Sequence, residues 1–319
     1  MNIYQILSEN SRQSPFFAFI LGLILYLLGA IVLLSFFVAI IALFSGITPA
    51  EINDILSGNM HGTSWELVVF RLIQAGNQVL SWGLAALLMA WLMGPRQTLR
   101  LRKVPLSSVL FALSVILVSI PLVQGLTFNA SNFHLSELAG QNESLKSVLL
   151  KFEGWVNERE SQSQNVLIQV LGTGSWLTLL ANLMVFALLP ALCEELFFRG
   201  FLQGIFEKMW NPHLAVWVSA FIFSLVHFQF YGFFSRLILG ALLGYFVLAS
   251  GSLIPSIVAH FFFNFLSILM VYLAYGRGIL PTKVANDELN IPFYIVLFSL
   301  FSTLSLLIIY FRRSTHAYE

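Results

Sequence analysis

Charge is what this chain has least of. Only 10% of its 319 residues are Asp, Glu, Lys or Arg, against about 25% in an ordinary soluble domain. A net charge of +1 without any basic stripe argues against a nucleic-acid partner. One cysteine, Cys193, excludes an intrachain disulfide and any cysteine-based zinc cluster. No internal repeat or low-complexity tract is present. The tripeptides at Asn129 and Asn142 match a glycosylation pattern too short to carry weight.

What remains is apolar. The chain is 58% hydrophobic with 31 phenylalanines, and its mean hydropathy is +0.84. Apolar runs fall at 16–44, 72–93, 107–125, 175–199, 213–229, 233–249, 253–275 and 291–311. Crossing a bilayer as helix takes roughly 18–20 residues. The composition therefore predicts an all-α polytopic membrane protein with about eight transmembrane helices. The first run is too long for a signal-peptide core and shows no cleavage site, so it is expected to stay as a helix.

The linker "GPRQTLRLRK" carries Arg96, Arg100, Arg102 and Lys103. By the positive-inside rule it is cytoplasmic. Eight spans then put both termini inside, in agreement with Arg312 and Arg313 after the last run. Four regions follow. Residues 1–125 form an N-terminal transmembrane region of about three helices. Residues 126–172 form an extracytoplasmic segment, with Leu145, Val148, Leu149, Phe152, Trp155 and Val156 at the spacing of an amphipathic helix on the membrane surface or capping the bundle. Residues 173–275 form a second helical bundle, and 276–319 a last helix with a short tail.

Charged groups at bilayer depth cost about 2.5–3.5 kcal/mol each and usually face a protein interior. The second span carries Arg71, Gln74, Asn77 and Gln78, and Arg236 lies near another span's end. An interhelical hydrogen-bonding role fits these best. The denser set lies in the second bundle. In "LPALCEELFFRG", Glu195 and Arg199 are four apart with the acid first, the favourable order for a helical ion pair. Glu194 points about 100° away and keeps no such partner, so it is free to act as a general base. "FSLVH" places His227 at the end of the fifth span, and "HFFFN" places His260 and Asn264 on one face of the seventh. A turn at 210–212 would fold the chain back and bring Glu194 and His227 to similar depth.

These three stretches, in this order on separate apolar helices, resemble the CAAX prenyl protease and bacteriocin-processing (CPBP, or Abi) family of intramembrane proteases. The resemblance covers residues 179–270 and implies an intramembrane endopeptidase with its active site inside the C-terminal bundle. It implies that Glu194 takes a proton from an attacking water, that His227 positions that water or ligates a metal, and that His260 and Asn264 hold the oxyanion. Glu195 and Arg199 would support the site. Glu194, His227 and His260 could form a catalytic zinc set, or serve a metal-free mechanism unchanged, and the residues leave both open. No serine nucleophile elbow and no HExxH motif is present. Eukaryotic relatives trim prenylated tails, whereas a chain this compact reads as bacterial, in the cytoplasmic membrane. The partners expected are the lipid bilayer and a membrane-associated peptide or protein substrate. The C-terminal "STHAYE" lacks a prenylation cysteine, so the chain is not expected to be such a substrate itself.

Two other classes also fit buried acids and histidines. One is a non-catalytic binding or bacteriocin-immunity protein. The other is a proton-coupled transporter, disfavoured because no inverted repeat is seen and the polar residues crowd into one half.

Overall fold

The computed structural model describes residues 3–60, 63–171, 175–276 and 291–316. Among these the chain is helical, with no strand. Seven of the described helices are long and apolar enough to cross a membrane. They are α2 (Pro15–Ser45), α4 (Ser64–Met93), α6 (Leu106–Ser131), α8 (Trp176–Met209), α10 (Phe233–Ser250), α11 (Ile254–Gly276) and α12 (Phe293–His316). The others are α1 (Ile3–Gln13), α3 (Pro49–Ser57), α5 (Pro95–Leu99), α7 (Glu143–Leu171) and α9 (Pro212–Leu225).

The predicted fifth span is shorter than expected. α9 has 14 residues, about 21 Å at 1.5 Å per residue, against a hydrocarbon core of about 30 Å. Asn211 starts it by accepting the Leu214 N–H, with Pro212 in the first turn. It stops because the Ser224 hydroxyl donates to the Phe233 carbonyl across the following turn, at 2.5 Å. Phe228 in that turn has a φ of 51°, which a helix could not contain. α9 then runs antiparallel along α10, with Ala220 beside Gly240 and Val216 beside Gly244.

The helix ends sort into two levels. Ser8 and Arg12 of α1 donate to the Leu92 carbonyl near the end of α4. The 94–105 linker follows at once, and is tied down by Arg100–Glu207, by Ser252 donating to the Arg102 carbonyl and by Leu253 N–H donating to the Arg100 carbonyl. α12 is antiparallel to α6, with Phe111 against Tyr310 and Gly125 against Val296. The N-terminal helix, the basic linker and the end of α12 therefore share one end of the bundle.

α7 lies at the other end. The expected helix forms, but its apolar face is only partly used. Val156 is buried, while Val148 remains 61% exposed. Phe152 and Trp155 meet Phe230 edge to face in the turn after α9. The Glu160 carboxylate accepts the Tyr231 N–H at 3.0 Å. α7 thus caps the turn that carries His227. Along α7, the Ser136 N–H from the turn before it, at 2.8 Å, holds the Glu153 carboxyl below its ordinary range.

The interhelical role expected for Arg71 is realised, since it donates to Asn182 Oδ1 and the Val170 carbonyl. These bonds join α4, α7 and α8.

Candidate active site

α8 carries the central residues, and it is not a uniform α-helix. Pro190 lacks a backbone donor, and a wider π turn occupies Met184–Leu188 just before it. A second π turn runs over Glu195–Leu202, immediately after Glu194. Such turns re-aim side chains within a helix and recur at functional sites. Behind them, Tyr26, Trp82, Phe197, Phe198 and Phe223 form a continuous aromatic packing, which fixes the turn from the side of α2, α4 and α9.

The ion pair expected from spacing forms inside the protein. Arg199 Nη1 stands 2.6 Å from Glu195 Oε1, with both side chains essentially fully buried. Arg199 Nη2 donates to the Gly240 carbonyl at 3.1 Å, and the guanidinium lies 4.4 Å from the centre of the Phe223 ring. Two residues of α11 complete the shell around Glu195. Ser256 Oγ donates to Oε2 at 2.5 Å, and His260 Nδ1 lies 2.8 Å from Oε1. A carboxylate only accepts, so Nδ1 carries the proton and the bond sets the ring's orientation.

That orientation aims the other nitrogen at Glu194: His260 Nε2 and Glu194 Oε2 are 4.0 Å apart. The opposite oxygen, Glu194 Oε1, accepts from Gln78 Nε2 at 2.9 Å. Glu194 therefore has one oxygen fixed and one directed at His260, and it is only 5% exposed. His227 lies in the turn just beyond α9, with Nδ1 2.6 Å from the Phe223 carbonyl. A carbonyl only accepts, so Nε2 of a neutral His227 is left as an acceptor. The Phe223 ring stands against both imidazoles, at 4.8 Å from His227 and 6.0 Å from His260. Asn264 is half-buried one turn beyond His260.

Glu194, Glu195, Arg199 and His260 are thus in direct mutual contact or facing, and Phe223 links His227 to them. Among the described residues, no three His, Cys, Asp or Glu side chains converge as a metal-binding group.

Residues 176–266 match the family model described as type II CAAX prenyl endopeptidase Rce1-like. This stretch is therefore similar to that family, over less than a third of the chain. The match runs from the first residue of α8 to two residues past Asn264, so it contains all six motif residues. α1 to α7 and α12 lie outside it. Neither a curated protein nor a solved structure matches the chain.

Four contributors to the site were not read as site residues in the sequence. Gln78, assigned only an interhelical bond, makes that bond to Glu194 itself. Ser256 gave no signal, because one serine in an apolar helix is unremarkable. Gly240 and Gly244 form a small-xxx-small pair on α10, a pattern legible in "GALLG". Their role is close approach. A Cβ on Gly240 would stand 3.2 Å from Arg199 Nη2, and one on Gly244 2.8 Å from Gln203 Oε1. Both glycine carbonyls accept from those side chains.

Proposed function

We propose that this chain is an intramembrane endopeptidase that hydrolyses a peptide bond of a membrane-associated or lipid-proximal peptide. The observation that carries the reading is the Gln78–Glu194···His260–Glu195–Arg199 line. It gives one buried carboxylate a fixed oxygen and a free one, and it holds the facing histidine ring in place through Nδ1–H to Glu195. The Rce1-like match supports the same reaction class.

The chemistry then follows from the chain's own residues. A water held by Glu194 and by His227 Nε2 gives a proton to Glu194, and its oxygen attacks the peptide carbonyl carbon. The oxyanion that forms is held by the Asn264 amide and by His260 Nε2–H, with the imidazolium balanced by Glu195. Glu194 returns its proton to the leaving amine as the C–N bond breaks. Glu195 and Arg199 touch no substrate. They position His260.

Two outcomes check the chemistry. Gln78→Ala removes the bond to Glu194 Oε1 without touching the motif residues. Turnover is expected to fall roughly ten-fold or more, while Gln78→Glu, a repulsive neighbour, falls further; equal rates for all three proteins would remove Gln78 from the site. A strong chelator is expected to leave cleavage unchanged, because no step uses a metal. Loss of activity restored by added Zn²⁺ would replace the metal-free route with a zinc one.

Orientation has its own test. The shared end of the basic linker and both terminal helices agrees with the positive-inside reading, which places that end in the cytoplasm. Cysteines introduced near Arg100 and Thr315 are expected to resist an impermeant thiol reagent in intact cells, and one near Ser161 to label. Labelling at Arg100 and Thr315 would invert the topology.

A further inference from the structure

A second space lies beside the site without including it. A cavity of about 720 Å³ opens between α6, α7, α10, α11 and the turn after α9. This is within the roughly 300–1,000 Å³ of small-molecule sites. Glu194, His227, His260 and Asn264 are all absent from its lining. Its α11 wall, from Phe263 to Met270, is the face next to the one bearing His260 and Asn264.

On α6 the lining passes from Ile120 and Val123 to Thr127 and Ser131 towards the α7 end, where Glu160 and Arg236 also lie, while Phe128, Leu167 and Met270 keep apolar surface at that end too. Arg236 is the cation of this space, and it is incompletely used. Nη1 donates to Gln229 Oε1 at 2.7 Å and Nη2 to the Gln229 carbonyl. Nε is buried with no hydrogen-bond partner. Glu160 lies near enough to act on Arg236 electrostatically, yet no ion pair joins them among the described residues. Glu160 keeps one oxygen on the Tyr231 N–H. The guanidinium lies against Gly232, where a Cβ would stand 2.5 Å from Nη1. A larger residue there would displace it.

The cavity therefore presents a cation and an anion, separated, at its α7 end and an apolar floor leading into the bundle. We propose that it binds an aminophospholipid from the bilayer, with the headgroup phosphate on Arg236, the ammonium on Glu160 and an acyl chain along Ile120, Leu239 and Phe263. A peptide is the weaker fit, because a substrate seated here would have none of the proposed catalytic side chains in contact. Arg236 also holds Gln229, two residues beyond His227, so an occupied cavity restrains the turn that carries that histidine.

The test is lipid retention by the purified full chain, read by native mass spectrometry with dioleoyl phosphatidylethanolamine, phosphatidylglycerol and phosphatidylcholine in turn. Phosphatidylethanolamine is expected to bind roughly ten-fold more tightly than phosphatidylcholine, whose quaternary ammonium cannot donate to Glu160. Arg236→Gln is expected to weaken all three lipids by a similar factor. Glu160→Gln should weaken phosphatidylethanolamine alone. Ser267→Trp fills the cavity with both charges in place, and should abolish retention even if Arg236→Gln folds poorly. Wild-type retention by both Arg236→Gln and Ser267→Trp would overturn the proposal. So would tighter binding of phosphatidylglycerol than of phosphatidylethanolamine, or displacement of lipid by the free C-terminus of a peptide.

Discussion

Arg199→Ala is expected to destabilise the protein by about 3–5 kcal/mol, because it leaves Glu195 as a buried acid without its cation. Water cannot substitute for the lost partner, since Glu195 is fully buried. The same change also removes the cation over Phe223 and the donor to the Gly240 carbonyl, so α8 loses one tie to α9 and one to α10. Replacing both partners, Glu195→Gln with Arg199→Gln, should recover part of the loss, because no net charge is then buried. Thermal unfolding in detergent measures both. A double variant that melts no higher than Arg199→Ala would show that the pair is not what holds these helices. The double variant should still be catalytically poor, because His260 loses the carboxylate that orients its ring and balances its charge.

Glu194→Gln is the opposite kind of change, with a large effect on rate and a small one on fold. Glutamine keeps the shape and can still meet Gln78, but it cannot take a proton from water. Hydrolysis is expected to fall to near background while unfolding temperature and substrate binding persist. Asn264→Ala removes one oxyanion donor, for which about 10²–10³ in turnover is the usual loss. It should therefore hurt less than Glu194→Gln. His260→Ala should be as severe as Glu194→Gln, and should also leave Glu195 short of a donor, so it alone of the three is expected to lower stability as well. If Asn264→Ala proved the most damaging of the three with its fold intact, the assignment of Glu194 as base would be wrong.

The parts of this site that were legible in the sequence are those with a local rule behind them. Glu195 and Arg199 sit at the helical spacing that makes neighbours, and the pair forms. Asn211 and Pro212 announce a helix start, and the chain does fold back there. Membrane spans follow from length and hydropathy, and seven do. The misses have a common cause. α9 ends early through a serine–carbonyl bond across a turn, and hydropathy cannot see a turn made of Val, His and Phe. His260 meets Glu195 through its Nδ1, a pairing that had no signal in the sequence, because it is set by where two helices pack and by a π turn, neither of which has a periodic signature. Gln78 lies 116 positions before Glu194. A polar residue in an apolar helix signals that a partner exists, but only the packing of α4 on α8 says which.

The most direct test of the proposed function is a cleavage reaction run in ¹⁸O-labelled water. Purified wild type and Glu194→Gln would be incubated side by side with a membrane-embedded peptide, and the products weighed by mass spectrometry. Wild type is expected to give two fragments, with one labelled oxygen in the new carboxylate, and Glu194→Gln to give none above background. Labelled fragments appearing from Glu194→Gln at the wild-type rate would contradict the assignment of this site as a peptidase centre.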